Sequence, residues 1–343
     1  MKQLVEIKHS KPKFLRIQYD LGNVCNYKCW YCFPGSNEGD SGWPNVNVLK
    51  INLIKIIEFY FQNGIDEIQV NFLGGEPTLW RHFGSLVQHL KENTVYDRKK
   101  QKFRITIQTN GSRTLRWWED YGQYLDHVSI SIHHERVNLD HIINVAEILL
   151  KKNVSLLATV LMDHNAWDKC KKMVDYLLSS KTKFLTLVKP IHIEGVVTYT
   201  EEQLEYLKVS KKRNPSLWTL FKHRDKYANL PEYTAIFSDG RSETVRHEEY
   251  FILNDLNKFP GWMCTIGING LSIDRDGYLT GTCRAKIYNR ENYYNINDAD
   301  FIEKFNPELK PVICHKSSCT CAGEAVLSKW KDIDKKVINI YES

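Results

Sequence analysis

Over residues 14–190, short runs with an apolar period of two alternate with longer runs whose apolar residues recur every third or fourth position. In VSISIH (128–133), Val128, Ile130 and Ile132 fall on one face, leaving Ser129, Ser131 and His133 on the other, the pattern of a half-buried strand. FLRIQYD (14–20) repeats it with Arg16, Gln18 and Asp20 on the polar side, EIQVNFL (67–73) with Gln69 and Asn71, and the run 103–109 with Gln108 and then Asn110. The VSISIH strand is predicted to span 126–132, and further strands are predicted at 154–161 and 183–189. Helices are predicted at 48–64, ending at Gly64, and at 79–94, 114–124, 139–151 and 165–178. Six strand and helix units in this order predict an α/β fold with a parallel sheet and right-handed crossovers. No Gly-rich dinucleotide or Walker loop follows any of the strands. A closed barrel fills its interior with branched apolar residues, so the polar faces predict an open, partial barrel whose lumen holds a polar cofactor and substrate.

At the end of the first strand stands VCNYKCWYCFP, with Cys25, Cys29 and Cys32 in a CxxxCxxC spacing. The chain opens MKQLVEIKHSKPKF, without an apolar export segment or cleavage site, which predicts a reducing, cytoplasmic location. There, clustered cysteines are metal ligands or redox groups more often than disulfides. Structural zinc wants four ligands, and no fourth Cys or His lies nearby at finger spacing, so zinc requires a ligand from elsewhere in the chain. A four-iron, four-sulfur cluster on three thiolates leaves one iron for a non-protein ligand and matches the odd count.

The CxxxCxxC spacing with Tyr31 before its last cysteine resembles the signature of the radical S-adenosylmethionine (SAM) superfamily. Downstream, FLGGEPTLW carries Gly74, Gly75, Glu76 and Pro77, which resemble the family's GGE motif, and ITIQTNGS (105–112) resembles its third strand with a Thr-Asn-Gly ending. The resemblance covers most of the first 195 residues and implies a partial (β/α)6 TIM-like barrel with its site at the carboxyl ends of the strands. It implies a [4Fe-4S] cluster on Cys25, Cys29 and Cys32, SAM chelating the fourth iron, and reductive cleavage of SAM to a 5'-deoxyadenosyl radical that abstracts a substrate hydrogen. Gly74 and Gly75 are expected to let backbone approach SAM, Glu76 to meet its ammonium, Tyr31 to lie near its adenine, Ser129 or Ser131 to meet its ribose hydroxyls, and Pro77, Gln108 and Asn110 to join the cofactor site. Lining the mouth, His133 and Lys189 are the first candidates for acid–base work, with His134, His192 and Glu194 beside them.

Past residue 195 the rhythm breaks into a polar, aromatic connector (196–260) with a predicted helix at 199–212. MCTIGINGLSIDRDGYLTGTC (263–283) reads as a hairpin with a turn at Asp274 to Gly277 and a cysteine near each end, Cys264 and Cys283. Cys314, Cys319 and Cys321 follow. Five cysteines after residue 260 resemble the SPASM and twitch extensions of radical SAM enzymes. Too few for two clusters, they imply a small twitch-like domain (261–343) with one auxiliary [4Fe-4S] cluster on Cys264, Cys283, Cys319 and Cys321. A four-cysteine zinc site is the competing reading. Cys314 is left as a hydrogen-atom donor, and Cys170, inside a helical pattern, as a packing residue.

At 343 residues the chain is long enough for a barrel (1–195) plus this smaller domain. No apolar stretch reaches the ~18 residues of a membrane span. The formal charge of +6 is compatible with acidic partners, and its scattered basic runs read as solvated surface, so nucleic acid is possible but not favoured. The auxiliary-cluster resemblance points to a peptide or peptide-like substrate. A nucleotide, nucleic-acid base or sugar is the second reading, and a non-catalytic metal-dependent binding protein the third. An electron donor such as flavodoxin or ferredoxin is implied. About 13 residues precede the first predicted strand, so no fused leader-peptide domain is expected.

Overall fold

The computed structural model describes residues 3–32, 35–182, 184–191, 197–207, 233–245, 250–251, 254–280, 294–314, 317–319 and 327–331. Two sheets organise it. The larger has the order β2-β3-β4-β5-β6-β7, with β2 (Phe14–Asp20), β3 (Glu67–Leu73), β4 (Lys102–Thr109), β5 (His127–Ile132), β6 (Ser155–Met162) and β7 (Leu185–Pro190) all parallel, and two further strands beyond β2. Helices α1 (Val46–Gln62), α2 (Phe83–Asn93), α3 (Leu115–Tyr121), α4 (Leu139–Lys151) and α5 (Trp167–Ser179) connect them. Among the described residues no helix is long and apolar enough to cross a membrane.

The apolar parity of each strand packs under these helices. Leu15 and Ile17, Ile68 and Val70, Ile105 and Ile107, and Val128 and Ile130 are all fully buried. From α1, Leu49, Leu53, Ile56, Ile57 and Tyr60 supply the facing stripe. The opposite parity keeps Arg16, Gln18, Asp20, Gln69, Asn71, Ser129, Ser131 and His133 half-buried, so the polar lumen of the sequence analysis is present.

Two strands depart from expectation. β1 (Leu4–His9) was not anticipated; a bulge between Leu4 and Glu6 breaks its period of two. It joins the second sheet, ordered β13-β10-β14-β1-β8-β9, in which β8 is Tyr233–Phe237, β9 Ser242–Val245, β10 Met263–Cys264, β13 Val312–Ile313 and β14 Lys329–Trp330. Conversely, β11 (Gly270–Ile273) leaves the C-terminal segment and pairs in parallel with β2, carrying β12 (Leu279–Thr280) with it. Asn269 anchors that move: its side chain donates to Pro12 O (2.7 Å) and Phe14 O (2.8 Å), while its carbonyl accepts from Arg16 N. The hairpin is therefore confined to β11 and β12, and the sheets do not follow boundaries at 195 and 260. Of the helix expected at 199–212, residues 199–207 are described, and 201–207 are helical.

Burial holds His9 at about 4, helped by the charges of Arg16 and Lys11, and burial also holds His127 at about 4. Both folded values lie below the unfolded value of 6.5, so the unfolded chain takes up protons that the folded chain refuses. Stability should be level above pH 6.5 and fall toward pH 4, each histidine contributing a slope of up to about 1.4 kcal/mol per pH unit. Urea unfolding across this range should show it, and His127→Gln should flatten it; an unchanged slope in that variant contradicts the assignment.

Candidate active site at the cysteine loop

The loop after β2 leaves the carboxyl edge of the parallel strands and carries the three cysteines, Cys29 buried and Cys25 and Cys32 half-buried. Cys32 N donates to Cys29 O (3.1 Å) in a tight turn, and Tyr27 N lies 3.3 Å from Cys25 Sγ. Burial pushes the Cys25 thiol up and the Cys29 thiol to about 12. Cys25 feels the charge of Cys32, and Cys29 that of Cys25, so the three share one patch. Asn23 staples the loop, with its Nδ2 donating to Gly35 O (2.9 Å) and its Oδ1 accepting from Ser41 N (2.9 Å). Arg275, in the turn between β11 and β12, also donates to Gly35 O (2.8 Å).

The Gly74 to Pro77 loop, leaving β3, closes against this segment. Gly75 N donates to Gly22 O (2.7 Å) and Glu76 N to Val24 O (2.8 Å). A Cβ on Gly74, whose φ is +146°, would sit 2.5 Å from Gly22 O, and one on Gly75 would sit 2.4 Å from Val24 O. The glycines thus serve a backbone approach between two protein loops. Glu76 then reaches into the end of β4 with no exposed surface. Its Oε1 accepts from Thr78 N (3.1 Å), Thr78 Oγ1 (2.6 Å) and Thr109 Oγ1 (2.7 Å), and its Oε2 from Asn110 N (2.6 Å). Burial pushes the carboxyl up, and these four donors oppose the shift. Asn110 completes the bracket by donating to Asn26 Oδ1 (2.8 Å) and lying 3.9 Å from Cys25 Sγ. One buried carboxylate therefore ties the GGEP, TNG and cysteine segments together.

Aromatic and imidazole groups line the other side. Tyr31 stacks on His133, its hydroxyl 3.1 Å from His133 Nδ1, and burial holds that imidazole at about 4. His133 is thus neutral near pH 7. The sequence analysis missed a second cluster on Asp163, the residue following β6. Asp163 accepts from Trp30 Nε1 (2.8 Å) and Asn165 N (2.8 Å), and lies 3.0 Å from His134 Nε2. Burial pushes the Asp163 carboxyl up, but these hydrogen bonds outweigh it and hold it below its ordinary range. A polar residue directly after an alternating strand was the available signal.

The remaining candidates are spread around the lumen and beyond. Pro77 is buried in a short 3-10 turn, Gln108 is exposed near the end of β4, and Lys189 is exposed on β7 opposite Leu161. His192, Glu194, Cys283 and Cys321 lie outside the described residues. Cys264 ends β10 and Cys314 directly follows β13; both are buried, as is Cys319. Cys314 N donates to Trp262 O (2.7 Å), which holds Cys314 next to the segment that carries Cys264. Burial raises the Cys264 thiol, while the buried Lys329 lowers it, and Cys314 and Cys319 are near enough to act on its ionisation.

The donor set of the cysteine loop, three thiols in one patch, fits an iron-sulfur cluster with an open iron. Among the described residues no three His, Cys, Asp or Glu side chains converge on a single metal ion. Residues 19–177 match the model of the Radical SAM superfamily. The cofactors of that family are a [4Fe-4S] cluster and SAM. GTP 3',8-cyclase of Pasteurella multocida (strain Pm70) is 30% identical over 122 residues, 34% of this chain and 33% of the cyclase. The same enzyme of Edwardsiella ictaluri (strain 93-146) is 31% identical over 120 residues, 34% of each chain. The chain matches about a third of the length of these curated relatives. Among solved structures, anSMEcpe with bound AdoMet superposes over 85% of this chain and 80% of its own, with TM-score 0.51 at 19% identity. Its complex with AdoMet and the Kp18Cys peptide gives 0.51 at 18% over the same shares. Streptococcus suis SuiB bound to S-adenosylmethionine gives 0.50 at 14%, over 84% of this chain and 65% of its own. These structures share the fold.

Replacing Glu76 by Gln sets an NH2 group against protein donors in either amide orientation. Glu76→Gln should therefore destabilise the domain by about 1–3 kcal/mol in thermal or urea unfolding. Wild-type stability in that variant would show that the carboxylate does not bracket the loops.

Proposed function

We propose that this protein is a radical SAM enzyme that abstracts hydrogen from a peptide or peptide-like substrate. The carrying observation is the convergence, through Glu76 and Asn110, of the three-thiol loop with the Gly74 to Pro77 and Thr109 to Gly111 segments above a polar lumen. When bound, the cluster and SAM supply one-electron cleavage of a sulfonium, giving methionine and a 5'-deoxyadenosyl radical. Cys25, Cys29 and Cys32 hold the cluster as thiolates. Because the Glu76 carboxylate is enclosed by four donors, it acts by fixing the loop whose backbone meets the SAM ammonium. Gln108, Ser129 and Ser131, on the lumen face, serve the ribose, and Tyr31, fixed by its stack on His133, borders the adenine. His133 and Lys189 remain the candidates to exchange a proton with substrate, and a flavodoxin or ferredoxin supplies the electron.

The proposal includes a twitch-like auxiliary [4Fe-4S] cluster on the second sheet. Its support is the burial of Cys264, Cys314 and Cys319, with Cys314, Cys319 and the buried Lys329 all near enough to act on the ionisation of Cys264; a buried cation favours a thiolate as counter-charge. Cys314 stands inside this group, which makes it a candidate ligand with Cys264 and Cys319, next to the sequence candidates Cys283 and Cys321. The bound peptide of the anSMEcpe complex, on the same fold, supports the peptide reading. A nucleotide substrate is the second reading, favoured by the match to GTP 3',8-cyclases within the radical SAM domain.

Anaerobic reconstitution should load about eight irons per chain, and about four in a Cys25/Cys29/Cys32 triple Ala variant. With dithionite the wild type should release 5'-deoxyadenosine and the triple variant none. Offered peptide and nucleotide pools, the loaded protein should change the mass of peptides; a change confined to nucleotides would select the second reading. No 5'-deoxyadenosine from fully loaded protein would refute both.

A further inference from the structure

Below the mouth, the lumen holds a charge that the cysteine loop does not use. Arg16 is the third residue of β2 and alternates with Leu15 and Ile17, which are fully buried under the helices, so its side chain belongs to the lumen parity. Its Nε is buried and has no hydrogen-bond partner among the described residues. Arg16 stands opposite Gln69 on β3, and Gln69 opposite Arg104 on β4, so two guanidinium side chains flank one layer. Gln69 is turned away, donating to Thr106 Oγ1 (3.2 Å). Glu67, the carboxylate beside this layer, is already shared by Lys11 (2.9 Å) and Arg104 (3.0 Å). The nearby His9 is held neutral near pH 7 and brings no negative charge. Among the described residues, Lys11, Arg16 and Arg104 thus stand near one carboxylate, Glu67, which Lys11 and Arg104 already engage.

Burying a cation without a counter-charge is unfavourable, and the planar fork of Arg matches phosphate and carboxylate oxygens. We propose that the lower lumen at Arg16, with Arg104 across Gln69, binds an anionic group of the substrate, a phosphate or a carboxylate. Four residues separate Arg16 from Asp20 at the carboxyl end of β2, a rise of about 13 Å at ~3.3 Å per residue. The substrate's anion accordingly lies roughly that far from the mouth where the cysteine loop closes. The inference rests on the lumen being the substrate chamber, but its test does not pass through SAM cleavage.

The test is thermal unfolding of the wild-type protein in inorganic pyrophosphate and in glutarate, each against chloride at equal ionic strength. Either anion should raise the wild-type Tm by a few degrees, and the one that does identifies the group as phosphate or carboxylate. In Arg16→Gln the shift should vanish, while the Tm in chloride equals or exceeds that of the wild type because an uncompensated charge has been removed. Arg16→Lys, keeping the charge without the fork, should retain a reduced shift. A wild-type Tm insensitive to both anions, a full shift in Arg16→Gln, or a Tm lowered in chloride by that substitution would overturn the proposal. Loss of 5'-deoxyadenosine formation with the anion shift intact would fail the SAM reading alone.

Discussion

A carboxylate removed from water survives only if its lone pairs are met, and Glu76 shows how much local structure that requirement can impose. To satisfy it, Thr78 must fold back in the turn after the glycines, and Thr109 and the Asn110 amide must arrive from the end of β4. Gly74 and Gly75 must lie against Gly22 and Val24 with no room for a Cβ. The cysteine loop is therefore positioned by its neighbours before any ligand binds. Such preorganisation suits a site whose thiols are kept protonated by burial until a cation arrives.

The second sheet is joined to this site from two directions. β1 runs directly into β2, so the strand bearing Arg16 and Asp20 continues from the second sheet. β11 returns to pair with β2, and the turn after it puts Arg275 on Gly35 of the cysteine loop. The buried cysteines of the C-terminal segment and the three-thiol loop are thus linked twice, by the run of β1 into β2 and by the return of β11 to β2.

Much of the barrel was legible because strands and helices imprint different periods. α4 (Leu139–Lys151) and β3 (Glu67–Leu73) fall where the alternation placed them. The helix expected at 79–94 starts instead at Phe83, because Glu76 accepts from Thr78 N and makes a separate 3-10 turn of Pro77–Leu79. β1 escaped notice because its bulge scrambles the parity, and the pairing of β11 with β2 escaped because nothing local distinguishes an edge strand of one sheet from that of another. The clustering of Cys25, Cys29 and Cys32 was readable from spacing. The roles of neighbouring residues were less so: whether Glu76 faces a ligand or the protein, or whether Asp163 gathers Trp30 and His134, depends on contacts across tens of residues that no local pattern carries.

The central claim is that SAM binds at an open iron held by Cys25, Cys29 and Cys32. Electron paramagnetic resonance of the reduced, anaerobically reconstituted protein tests it directly, comparing spectra with and without SAM in a Cys264→Ala/Cys314→Ala variant that isolates the first cluster. The account predicts a [4Fe-4S]+ signal whose g-values shift when SAM is added and which disappears when Cys29 is also replaced by Ala. A signal unmoved by SAM would contradict it.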